Sequence, residues 1–179
     1  SARMGYDAPL GDFFAGGLLV RDFAEHKFHR RIMQTAFKTS SMQHYVHSVN
    51  EISAATVERW GKVGGFRYYP HTKELLLDIG ARVFVGVNLD NEIAPLNKAF
   101  LDMMAGTVAI VRKDWPGLGL VYHRGMNGRR YLEQYFQGLV PQRRRDEGMD
   151  MMSHFSKETT EEGQYFPDKV VADHLIFLV

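Results

Sequence analysis

Along most of this chain apolar side chains recur every three or four residues, the spacing of a helix that buries one face. Over residues 21–38, Phe28, Ile32 and Ala36 share a stripe with Met33 and Phe37 beside it, while His26, Lys27, His29, Arg30 and Arg31 occupy the rest. The stretch "KTSSM" then offers hydroxyls able to cap a second helix, in which Val46, Val49, Ile52, Thr56, Val57 and Trp60 repeat. "GKVGGFRYY" interrupts that pattern and is expected to hold a short strand. Pro70 suits a first helical turn, and the pattern predicts a helix from there to about Gly86. Leucines, Ile79, Val83 and Phe84 cover most of its circumference, so it is expected to be deeply buried.

A further helix is predicted over 92–111, a loop at "RKDWPGLGL", and a long polar helix over 122–146 that Pro141 should kink or split. "GMDMMSHFSKE" reads as a short helix, "TTEEGQYF" as an exposed turn, and Pro167–Asp168 as the start of a last helix. The first twenty residues, rich in glycine and aromatic side chains, read as a mobile loop with an apolar patch. No internal repeat or low-complexity linker divides the chain. The expectation is a mainly α fold, with residues 1–179 forming one helical unit without an internal boundary.

Composition changes this picture little. The chain has 179 residues, 45% of them hydrophobic, with 22 Lys plus Arg against 21 Asp plus Glu. A net charge of +1 gives no general drive towards nucleic acid, and none is expected as a partner. The absence of cysteine removes disulfides, thiolate catalysis and cysteine-bound zinc from these residues. No apolar run is long enough for a membrane span and no signal peptide opens the sequence, which points to the cytoplasm.

The candidate chemistry lies in "FAEHKFHRRIMQTAF" (23–37). Helical spacing puts His26 and Arg30 one turn apart on one face, where they could hold an anion. The histidine pairs His26/His29 and His44/His47 have the spacing to bind a metal between two helices, although no further acidic ligand supports such a bundle. Arg143, Arg144 and Arg145 read more simply as a solvated helix end than as a phosphate site. "GLGL" at 117–120 lacks the third glycine and preceding strand of a phosphate loop, and no nucleophile motif is present.

Several segments carry a resemblance in series. "AEHKFHRRIMQTAF" resembles the histidine-x-x-x-arginine segment of the cytochrome P450 family, with a phenylalanine seven positions after the arginine. "LLLDIGARVFVGV" is similar to that family's buried helix ending in phenylalanine-x-glycine. "LEQYFQGLVPQRRRDEGMDMMSHF" is similar to its arginine-rich helix end and following short helix, and "EEGQYFPDKVVADHLIFLV" to the approach to its long central helix. The resemblance covers roughly residues 5–179 in the family's order, with Pro141 as a departure.

The resemblance implies the helical part of a P450-like fold, truncated, within a heme-thiolate monooxygenase that hydroxylates an apolar small molecule. It implies heme and an electron-transfer partner for the complete protein, with His26 and Arg30 holding a heme propionate. It also implies that Phe13, Phe14, Leu18 and Leu19, together with Met103, Met104 and Thr107, roof the substrate pocket. The family's cysteine ligand would lie beyond Val179, so the chain alone is expected to be inactive, with heme absent or bound non-natively. A non-catalytic helical interaction module and a histidine-based metal bundle are the alternatives. Leu175–Val179 end the chain within an apolar run, and their exposure is expected to drive self-association.

Overall fold

The structure, a computed structural model, describes residues 1–63, 65, 67–87, 93–160 and 162–178. Its first helix, α1 (Ala2–Phe14), replaces the expected opening loop. Ser1 caps it, its hydroxyl accepting from the Met4 amide at 3.4 Å, and Phe13 at its end is wholly buried. That burial supplies the stabilisation that the local glycines withhold. A 3₁₀ turn (Leu18–Val20) leads to α2 (Phe23–Met33), which a second 3₁₀ turn (Gln34–Phe37) extends.

α3 (Thr39–Gly61) has the expected length, and its buried face follows the expected stripe only in part: Thr56 is buried and Val49, Ile52 and Trp60 are half-buried. Ser41, Tyr45, Ser48 and Thr56 point inwards, whereas Val46 and Val57 are more than half exposed. Small polar side chains at the contact let the helix pack closely, and they leave the valines outside. No strand follows it among the described residues; Gly64 and Phe66 of the expected strand lie outside them.

α4 (Tyr68–Gly80) carries Pro70 in its first turn, as predicted, and continues into a π-helical turn (Ala81–Val85). Gly86 ends that turn in the left-handed conformation at φ 69°, which glycine adopts without strain. The expected deep burial is not found: no residue of α4 is fully buried, and Leu76 is 61% exposed. Only the π turn enters the core, through Ala81, Val83 and Val85.

α5 (Ile93–Thr107) and α6 (Val121–Arg143) form the closest helix pair. α6 runs unbroken through Pro141, because that residue stands within its last turn and costs a single backbone bond. α7 (Met151–Lys157) is capped by Asp150, whose carboxylate accepts the Ser153 amide at 2.9 Å. α8 (Asp168–Leu178) lies against α6. Leu132, Phe136 and Val140 of α6 meet Val171, Leu175 and Ile176 of α8 in one hydrophobic cluster.

The end of α8 corrects another expectation. Leu175 and Ile176 are 0% and 1% exposed, and Phe177 and Leu178 are half buried, while Val179 lies outside the described residues. The turn after α1 covers this segment, with Gly17 passing close to the Phe177 side chain. The reason given for self-association is therefore removed.

Candidate functional site

α2 divides its side chains between two environments. Ile32, Met33 and Ala36 anchor it in the core, Phe28 is half buried and Phe37 is exposed. On the other side His26 is half buried and Arg30 exposed, one turn apart, and neither side chain has a hydrogen-bonding or ionic partner among the described residues. Arg30 borders an open groove of about 450 Å3 together with Lys27, Phe28, Arg31 and Gln34. An anion in this groove would meet Lys27, Arg30 and Arg31, the last with its guanidinium over the Phe28 ring at 5.9 Å, while His26 does not line it. The donors present fit a carboxylate such as a heme propionate, which needs charge-assisted partners at the edge of an apolar site.

His29 does not join that face. It turns inwards, and its Nδ1 lies 2.8 Å from Nε2 of His174 on α8. One of these nitrogens must donate and the other accept, so both rings can be neutral across this bond, while the buried Nδ1 of His174 has no partner among the described residues. Burial, helped by the positive charge of Arg21, pushes His29 down to about 4. Burial pushes His174 down to about 3, with the neighbouring His29 and Arg21 adding to the shift. His44 and His47 face solvent on α3, and His47 meets Glu51 at 3.2 Å. The four histidines proposed for a metal are thus dispersed, and no cluster of three or more metal-ligating side chains exists among the described residues.

Beside the histidine pair runs an ionic network, buried at Arg129 and Asp173 and open at Lys169, that the sequence did not reveal. Arg129 of α6 bonds Asp173 of α8 and, at 2.9 Å, Glu133. Lys169 reaches Glu133 at 2.5 Å and Asp173 at 3.5 Å. Burial pushes the Asp173 carboxyl up against the opposing pull of Arg129 and Lys169. The available signal was "DHL" inside the most apolar stretch of the chain, since an aspartate and a histidine there require internal partners.

Two of the three arginines of the 143–145 run are likewise tied down rather than solvated, while Arg145 is exposed. Arg143 donates to the Val85 carbonyl at 2.7 Å, and Arg144 to those of Phe166 at 2.7 Å and Ser156 at 3.1 Å. Arg144 also pairs with Asp168 at 2.7 Å. These contacts join α6 to the π turn and to both flanks of the 158–167 turn, and they leave little for a phosphate. Ser41 Oγ lies 3.0 Å from His154 Nε2, yet at 1% exposure that serine is closed to any substrate.

The residues expected to roof a pocket separate into two groups. Phe13 and Met103 are 0% exposed. The Phe13 ring packs edge-on to Tyr122 at 5.4 Å and against the helix crossing at Gly106 and Gly125. Thr107 is buried, its hydroxyl donating to the Met104 carbonyl at 2.7 Å. Phe14, Leu18 and Leu19 are half buried, and Met104 is exposed.

No family model matches the chain. Among curated proteins it is 34% identical to cytochrome P450 136 of Mycobacterium tuberculosis, over 99% of its own length and 37% of that protein's. It is 24% identical to ent-kaurenoic acid oxidase 1 of Arabidopsis thaliana, over 86% of this chain and 32% of that one. Among solved structures it matches the retinoic acid-bound cyanobacterial CYP120A1 with a TM-score of 0.78 at 18% identity, over 96% of this chain and 38% of that chain. The cytochrome P450DA heme domain matches with a TM-score of 0.77 at 17% identity, over 96% of this chain and 40% of that one. The chain therefore spans about a third of the length of these curated relatives. Sequence kinship over almost every residue, joined to the same helical arrangement, places the chain in the cytochrome P450 family.

Proposed function

We propose that the protein to which this chain corresponds is a heme-thiolate monooxygenase, hydroxylating an apolar small molecule with dioxygen and electrons from a redox partner. The observation that carries this reading is the unpartnered His26–Arg30 pair on a helix locked into the core, in a chain related to cytochromes P450 over 99% of its length. Heme, when bound, supplies the activation of dioxygen; the residues described here hold and orient it. His26 and Arg30 would each donate to a propionate, and charge-assisted bonds of this kind contribute about 1.5–3 kcal/mol each. Ile32, Met33 and Ala36 keep both donors in place by fixing α2. The sequence in hand contains no cysteine, so a thiolate ligand would come from outside these residues.

Phe13, Phe14, Leu18, Leu19, Met103, Met104 and Thr107 form the substrate side of this reading. Phe14, Leu18, Leu19 and Met104 have surface to offer a ligand, while Phe13 and Met103 hold the roof together from within. Among the described residues no helix is long and apolar enough to cross a membrane. A cytoplasmic site of action belongs to the same proposal. In the full-length protein, replacing His26 and Arg30 together by leucine should lower heme retention markedly while helicity is kept. Unchanged heme content in a folded double variant would refute the assignment.

A further inference from the structure

At the opposite end of the α5–α6 pair from Phe13, a cavity of about 560 Å3 opens between α4, the π turn, α5 and α6. Its walls are Leu76 and Leu77 of α4, Phe84 of the π turn, Phe100 and Leu101 of α5, and Tyr135 of α6. The floor is closed by Ala81, Leu132 and Phe136, which are 8%, 2% and 2% exposed. The volume falls within the range of small-molecule sites, about 300–1,000 Å3.

Two features make this more than an uncovered apolar face. First, the helix that forms one wall changes to π geometry where it meets the cavity. Such single π turns re-aim side chains and recur at binding sites. Here the turn brings Phe84 into the wall, its ring against Gly80, where an added Cβ would lie 3.6 Å away. Second, the polar groups are few and sit at the rim. Asn97 is half buried, lines the cavity and makes no hydrogen bond among the described residues. Lys73 is drawn over the Tyr69 ring at 5.4 Å.

We infer that this cavity is a second binding site, separate from the α2 face, for a compact and predominantly apolar molecule bearing one hydrogen-bonding oxygen. The apolar body fills the space between Leu77, Phe84 and Phe100, and the Asn97 amide meets the oxygen. Enclosure by helices on three sides suits a small molecule, because a flat protein surface would not reach the floor. The inference does not depend on the heme reading of His26 and Arg30.

The test uses the 179-residue chain and the neutral fluorophore N-phenyl-1-naphthylamine. Titration should give saturable enhancement of emission with one site per chain. Leu77→Trp, which fills the cavity, should weaken binding about tenfold or more, as should Leu76→Asp at the mouth. Leu76 is 61% exposed, so that second variant keeps the fold if the first does not. Leu118→Ser, on the exposed 112–120 loop, should bind as the parent does. Absence of saturation, or unchanged affinity in folded Leu76→Asp, overturns the site. So does a concentration-dependent dimer that Leu76→Asp abolishes without any probe binding, since the occupant would then be a second copy.

Discussion

At Gly128 the backbone of α5 presses directly on α6, and one methyl group there tests the architecture. A Cβ on Gly128 would lie 2.2 Å from the Ala99 carbonyl oxygen, 3.1 Å from its carbon and 3.2 Å from the Met103 nitrogen. All three are backbone atoms, so no side chain can rotate away. A carbon normally approaches a carbonyl oxygen to about 3.3 Å, so the two helices must part by about 1 Å in Gly128→Ala. Overpacking of this kind costs about 1–3 kcal/mol, and more where backbone must move. Against it stands the better helix propensity of alanine, about 1 kcal/mol.

Gly138, on the same helix, isolates that second effect, because nothing lies within 4 Å of its Cβ position. Gly138→Ala should therefore stabilise by about 1 kcal/mol, while Gly128→Ala should lose a net ~2 kcal/mol. For a chain of this length 1 kcal/mol moves the midpoint of thermal unfolding by about 2–4 °C. The two variants should thus separate on opposite sides of the parent in circular dichroism melts. Equal stabilisation by both would mean that α5 and α6 do not cross at Gly128, and the packing described here would be wrong.

Two further outcomes follow from the buried residues. His29 and His174 are held near 4 and 3 in the fold, whereas an unfolded histidine titrates near 6.5. Between those limits the unfolded chain binds more protons, so stability should fall as pH drops from 6.5 towards 4, and His174→Gln should flatten that dependence in denaturant titrations. A slope unaltered in the variant would show that the pair is not buried neutral. Leu175→Ala should cost about 2–5 kcal/mol, since Leu175 is 0% exposed; a loss under 1 kcal/mol would restore the exposed apolar end that the sequence suggested.

The order of the helices from α2 to α8 was legible because periodicity survives in segments with a single buried face, whereas α1, whose pattern is broken by glycines, was not: the predicted starts of α2 and α8 lie within two residues of those found. The sequence misled where burial is decided by distant partners. The leucines of α4 promise a core helix, yet its surroundings leave a cavity on that side, a fact carried by α5 and α6. On α3 the expected stripe is met in part: Thr56 is buried and Val49 packs on the core, but Val46 and Val57 face outwards and Ser41, Tyr45 and Ser48 are buried instead. In the Gly125 and Gly128 region the sequence showed only glycines within a polar helix; their reason lies in the backbone of α5.

The candidate site divides along the same line. The one-turn spacing of His26 and Arg30 is a local property, so sequence alone could place them together. His29 shares that helix and that chemistry, but its partner is 145 residues away on α8. A histidine one residue before a surface arginine is indistinguishable by spacing from a ligand, and only the packing of α8 shows that it faces inwards. The metal reading failed for this reason. It counted imidazoles along two helices, whereas His29 is taken up by a third helix and His44 and His47 face solvent on α3. Polar residues embedded in an apolar segment are therefore the most informative signal in this chain, since each demands a partner and so predicts a long-range contact.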